Sequence, residues 1–241
     1  METKILEIPF NVLTFKEALD KLVTWMDIQH NHIIVTPNPE GVMQARRNPE
    51  FAKALQNADL RLADGIGIVL ASKFIGKPLP QRVRGVDIIF ALFNQLTESN
   101  RKFTAYFLGA ALGVAEKAKE AMEEKYPCLT VVGYHHGFFS EEDEKVILAD
   151  IEKQSPDILL VCTGMPRAEI WASKNRDINT RLTLCLGGTL DIMGGAVQLA
   201  PKIFRQFGFE WLYRLFKQPS RAKRMLDIPR FIFAVLRTRV K

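Results

Sequence analysis

From residue 103 to residue 188, short apolar runs alternate with helix-patterned stretches four strands deep. The runs are FTAYFLG (103–109), LTVVG (129–133), DILLVCTG (157–164) and LTLCLGG (182–188). Several end in Gly, as strands buried on both faces do when the chain turns out of a parallel sheet. Between the first two, Val114, Ala115, Ala118 and Met122 recur at helical spacing. Such a β-α-β-α-β-α-β series closes in few ways, because parallel strands need crossovers and these are right-handed. The expectation is a doubly wound, mainly parallel α/β sheet with helices on both faces. HIIVT (32–36) adds a fifth strand upstream. Thr14-x-x-Glu17 and Ser140-x-x-Asp143 have the form of capping boxes, and Asn48-Pro49 places a cap and a Pro at a helix start.

With 241 residues, 47% of them hydrophobic, the chain can bury a core of this size. Cys128, Cys162 and Cys185 form no C-x-x-C pair, and the last two sit in apolar runs, where free Cys behaves as a small hydrophobe. The pattern suits a reducing, cytoplasmic setting. METKILEIPFNVLTF lacks a continuous apolar segment, so no signal peptide is expected, and no run reaches the roughly 18 apolar residues of a membrane span.

Charge divides the chain unevenly. Residues 201–241 carry 11 Lys and Arg against Glu210 and Asp227, a net of +9, whereas the whole chain has +6. The same segment holds eight aromatic residues, with Phe204, Phe207, Trp211 and Leu215 at helical spacing and Arg214, Lys217, Arg221 and Arg224 on another face. The expected organisation is a body over 1–194 and a basic, amphipathic helical appendage over 195–241. An ordinary core helix explains such a pattern, and so does an anionic bilayer surface. No nucleic-acid motif accompanies the charge.

Ligands of doubly wound sheets bind beyond the carboxyl ends of the strands. TPNPEG (36–41), GAALG (109–113), GYHHGFF (133–139), TGMPRAE (163–169) and GGTLD (187–191) all fall on that expected edge. Glycines let backbone N–H groups approach a phosphate, so five such loops point to an anionic or nucleotide ligand. Gly65-x-Gly67 lacks the third glycine of a dinucleotide fingerprint, and no Walker A, H-E-x-x-H or G-x-S-x-G motif occurs. There is no Asp-x-Asp metal clamp, and the adjacent His135 and His136 are expected to diverge and make a poor metal pair. In RLADGIGIVLA (61–71), Asp64 stands among apolar residues, where an ionised carboxylate is costly unless it is satisfied or used. It could cap a helix starting near Gly65 or act on a ligand.

TPNPEGVMQARRNPEF, ADLRLADGIGIV, QRVRGVD, GVAEKA, HHGFF, TGMPRAEIW and GFEWLYRL together resemble the WecG/TagA/CpsF glycosyltransferases, glycosyltransferase family 26, over nearly the whole chain. The tail and overall pattern are most similar to the TagA branch. The resemblance implies an inverting, metal-independent enzyme without a cofactor, peripheral on the inner face of the membrane. It implies transfer of N-acetylmannosamine from a UDP-sugar donor to an undecaprenyl-diphosphate-linked N-acetylglucosamine acceptor, for wall teichoic acid. Other UDP-sugars, or a non-catalytic nucleotide-binding module on the membrane, remain alternatives.

On this resemblance Asp64 is the catalytic base, its proton affinity raised by partial burial. Arg82 matches a family arginine, while Arg84 occupies a variable position. Thr36 and Asn38 read as sugar contacts or as a turn. Gly109, Gly164, Gly187, Gly188 and Asp191 are assigned to the uridine and phosphate side, although Asp191 could cap a helix. Arg214, Arg221 and Arg224 are candidates to reach the diphosphate when the tail meets a membrane. Without the membrane, the apolar tail is expected to self-associate. One departure stands out: Ala168 and Ala172 are small, and Ala168 replaces an expected Gln.

Overall fold

A computed structural model describes residues 1–198, 200–201, 204, 210–217 and 225–238. A hairpin of β1 (Glu2–Ile5) and β2 (Ile8–Asn11) precedes helix α1 (Phe15–Trp25). Strand β3 (His32–Val35) is followed by α2 (Pro39–Ala45), α3 (Pro49–Asn57), β4 (Leu60–Arg61), α4 (Ile66–Phe74) and α5 (Gly85–Glu98). Regular alternation then begins: β5 (Phe103–Gly109), α6 (Val114–Lys125), β6 (Leu129–His135), α7 (Glu141–Gln154), β7 (Ile158–Cys162), α8 (Arg167–Lys174), β8 (Leu182–Cys185) and α9 (Thr189–Met193). Among the described residues, two further helices are α10 (Glu210–Lys217) and α11 (Asp227–Thr238).

The three predicted helix starts are present as read. Thr14 accepts from the Glu17 N–H at 3.2 Å while Glu17 accepts from the Thr14 N–H at 2.7 Å. Ser140 and Asp143 repeat that exchange, and Asn48 accepts from the Phe51 N–H at 3.1 Å.

Six strands form one sheet in the order β4-β3-β8-β7-β5-β6, every neighbouring pair parallel. Register converts the two-residue period of the strands into two cores. Leu60, Ile34, Leu184, Leu160 and Phe107 lie side by side across five strands and face one layer. One residue further on, Val35, Cys185, Val161 and Leu108 face the other. Helices α1, α5, α6 and α9 cover the first face, and α2, α3, α4, α7, α8 and α11 the second. The doubly wound, parallel architecture expected from the sequence is therefore the one present. Three strands are shorter than their apolar runs, whereas β6 runs on to His135: β3 stops at Val35, β7 at Cys162 and β8 at Cys185, because the following residues turn out to build loops at the carboxyl edge.

The chain leaves β3 for the second face through α2, and leaves β8 for the first face through α9. Since β3 and β8 are neighbours, their outgoing loops part and open a crevice between them. This is the switch point at which ligands of such sheets bind.

The final helix joins the body. Phe231 and Val235 are buried in the second core, and α11 packs on α2. Its first residue, Asp227, is 4% exposed and is held by Arg47 just beyond α2, with Nη1 to Oδ1 at 2.9 Å. Arg230 adds a contact at 3.2 Å. On the opposite side Ile232, Phe233 and Leu236 are exposed. In α10, Tyr213 packs near Phe204, with ring centroids 5.6 Å apart. Among the described residues no helix is long and apolar enough to cross a membrane.

Candidate active site

A pocket of about 120 Å³ occupies the β3/β8 crevice. Thr36 and Asn38 line it from the loop after β3, Asp64 from the loop after β4, and Arg84 and Val86 from the start of α5. Residues 185–189 and Ile192 form the β8 side, and Met165 and Glu169 close it from the loop and helix after β7. The enclosed volume is below the roughly 300–1,000 Å³ of a complete small-molecule site, so it suits one moiety of a larger ligand.

Asn38 has two parts to play. Its Oδ1 accepts from the Gly41 N–H at 2.9 Å, capping α2, while the residue lines the pocket. The turn reading of TPNP is thus present in a residue that also faces the pocket.

Asp64 is not the N-cap residue of the helix that follows it. The N-cap of α4 is Gly65, which makes no side-chain cap hydrogen bond. The carboxylate instead reaches α5: Oδ2 accepts from the Gly85 N–H at 3.4 Å, and the Arg82 Nε lies 3.9 Å from Oδ1. Both neighbours put positive charge on the carboxylate, the first through the end of the α5 dipole. About a third of the side chain stays exposed, so a ligand can meet it. Gly85 makes this approach possible. A Cβ there would lie 2.9 Å from Leu186 and 3.2 Å from Thr36, the residues on either side of the crevice.

The two arginines divide differently from the sequence expectation. Arg82 lies behind Asp64 and contacts it, whereas Arg84 lines the pocket itself. Arg84 also pairs with Asp87 at 3.2 Å, which fixes it at the first turn of α5.

Glu169 was not singled out by sequence. It is 6% exposed, lines the pocket, and its Oε2 is buried without a protein hydrogen-bond partner. Burial pushes its carboxyl up to about 7. The signal available was a Glu at the third position of a helix opening at the ligand-binding edge.

Gly187 and Gly188 line the pocket, and Asp191 stands next to them on α9, its Oδ2 3.3 Å from where a Gly188 Cβ would be. Gly109 and Gly164 are not among its lining residues. Gly109 has φ +145° and touches the Cys162 backbone, where a Cβ would come within 2.7 Å. Its lack of a side chain serves the packing of β5 on β7. Arg214 belongs to α10, but its side chain lies outside the described residues, as do Phe207, Arg221 and Arg224. Ala168 and Ala172 are both 1% exposed and belong to the second core. His135 and His136 do not diverge: their ring centroids are 4.3 Å apart, each ring bound to local backbone. Among the described residues no three His, Cys, Asp or Glu gather as metal ligands.

Residues 3–241 match the model of the glycosyl transferase WecG/TagA/CpsF family. An N-acetylglucosaminyldiphosphoundecaprenol N-acetyl-beta-D-mannosaminyltransferase of Bacillus spizizenii (strain ATCC 23059 / NRRL B-14472 / W23) is 35% identical over 98% of this chain and 92% of its own. A protein of the same name from Staphylococcus aureus (strain MRSA252) is 30% identical over 98% of this chain and 93% of its own. With the family match running almost end to end and a carboxylate, an arginine and a glycine turn meeting at the sheet's switch point, this chain belongs to the WecG/TagA/CpsF glycosyl transferase family.

Proposed function

We propose that the protein transfers N-acetylmannosamine from UDP-N-acetylmannosamine to undecaprenyl-diphosphate-linked N-acetylglucosamine, giving a lipid-linked disaccharide for wall teichoic acid. The observation that carries this reading is the meeting of Asp64 with Arg84 and the Gly187-Gly188 turn around one pocket, in a chain whose relatives are named N-acetylglucosaminyldiphosphoundecaprenol N-acetyl-beta-D-mannosaminyltransferase. In the proposed reaction an acceptor hydroxyl attacks the anomeric carbon from the face opposite UDP. Asp64 takes the hydroxyl proton as the new C–O bond forms. The bond to the β-phosphate oxygen breaks and its electron pair leaves with UDP, so the configuration inverts. Arg84 and the α5 N-terminus offer positive charge for that oxygen, and Arg82 holds Asp64 in place. Thr36 and Asn38 are positioned to contact the sugar. The test is a panel of UDP-sugars offered with a lipid-linked N-acetylglucosamine acceptor. The N-acetylmannosamine donor should give the disaccharide with inverted anomeric configuration, and turnover of a different donor alone would refute the assignment.

Metal independence rests on the missing Asp-x-Asp clamp and on the arginines near the carboxylate. Activity should persist in EDTA and gain nothing from added magnesium or manganese. A loss with chelator that either ion restores would remove the role given to Arg84. Peripheral attachment to the inner membrane face is supported by the +9 tail and by the apolar side of α11 at Ile232, Phe233 and Leu236. The same exposed surface supports self-association in solution.

A further inference from the structure

We propose that Glu169 is a sugar-reading residue: its carboxyl donates to an acceptor oxygen of the donor sugar, the acetamido carbonyl, at the inner wall of the pocket. This deepens the proposed function and rests on the pocket being the donor-sugar site. Three observations carry it. Glu169 is more than nine-tenths buried yet lines the pocket, so its open side faces the ligand space. Its Oε2 has no protein partner, and a buried polar atom left unpaired costs about 1–3 kcal/mol unless a ligand or water satisfies it. The pocket also has a charged side elsewhere, where Arg84 stands, so the phosphates have a better place than beside a carboxyl.

The surroundings set the sign of its pH dependence. Cys185 on β8 is the titratable neighbour in the sheet, its thiol pushed far up by burial and therefore uncharged. Asp64 and Arg84 line the same pocket. On the outer side of α8, the Glu50 carboxylate of α3 is paired with Lys174 at 2.9 Å, with Lys53 alongside. No ion pair is formed by Glu169 among the described residues, and burial raises its carboxyl to about 7. Below that value the carboxyl is neutral and donates an O–H bond to the sugar oxygen. Above it the donor is lost and a desolvated negative charge faces the sugar. Sugar-dependent affinity should therefore fall as pH rises through about 7.

Calorimetric titration of the full chain with UDP-N-acetylmannosamine and with UDP, between about pH 5.5 and about pH 8.5, tests this for the parent, Glu169→Gln and Glu169→Leu. Gln keeps a donor of the same shape and cannot ionise. The parent should lose sugar-nucleotide affinity by up to about tenfold per pH unit above 7, while Glu169→Gln should bind at the parent's low-pH strength throughout. Glu169→Leu should be weaker than Glu169→Gln by about tenfold at all pH values. UDP should bind all three alike, which also reports that the variants fold. Identical pH profiles in the parent and Glu169→Gln would overturn the proposal, as would a Gln variant as weak as Glu169→Leu. A parental affinity that rises with pH would mean that the ionised carboxylate accepts a hydrogen bond from a sugar hydroxyl or N–H, again overturning it. If UDP and the sugar nucleotide both fail to bind the parent, the donor-site reading itself falls, and this inference with it.

Discussion

Asp64→Asn will leave the fold and UDP binding intact and lower turnover by about 10²–10⁴-fold, the range lost with a positioned general base. The amide is isosteric and can still accept from the Gly85 N–H, so the α5 junction survives. What disappears is the negative oxygen beside Arg82 that would take the acceptor proton. Single-turnover measurement with a soluble acceptor analogue separates chemistry from product release, and calorimetry with UDP reports the site. Near-parental turnover in the chemical step would assign the base elsewhere. Glu40, buried at the start of α2 and bound to Gln44 at 2.9 Å, is the next carboxylate to test.

Phe231→Ala will release α11 from the body. Phe231 is 2% exposed and fills the second core beneath the helix, and removing a buried Phe costs about 3–5 kcal/mol. Little else buries on that helix: Val235 is the other deeply packed apolar residue, while Ile232, Phe233 and Leu236 face out. The loss therefore rivals the local docking energy, and residues 227–238 should exchange amide protons far faster while the strands keep their protection. Unchanged exchange in that segment would mean that the Arg47–Asp227 contact holds the helix unaided. That contact has its own pH signature. Hydrogen bonds from Arg47, and then from Arg230, hold the Asp227 carboxyl below the ordinary carboxylate range. A depressed pKa stabilises the docked state above the unfolded value of about 3.9 and stops doing so as pH falls through the folded value.

The sequence made β5, β7 and β8 plain because they are buried on both faces and read as nearly continuous apolar runs. It hid β4, whose two residues, Leu60 and Arg61, pair only through β3. It hid the hairpin too, since Leu6 and Glu7 make a turn with positive φ where Gly or Asn would have announced one. Asp64 was visible as a charge out of place, but its partner was not: Gly85 is 21 residues away, and only the crossover to α5 brings it near. Glu169 left no local signal that distinguishes it from an ordinary first-turn acid, because what sets it apart is desolvation by α8, β8 and the crevice. For Arg82 and Arg84 the alternation of the chain decided which one faces the pocket, a matter of backbone direction that composition does not carry.

Helix α2 spans only seven residues, roughly 10 Å, with Asn38 at its pocket end and Arg47 just past the other, where α11 is seated. So short a rod leaves little slack between substrate and tail. Thermodynamic linkage then constrains the pair: by whatever factor seating of α11 alters sugar-nucleotide affinity, sugar nucleotide alters the seating equilibrium by the same factor. On the proposed membrane and donor readings, any factor by which a bilayer drawing on the outward face of α11 changes donor affinity is the factor by which bound donor changes membrane affinity.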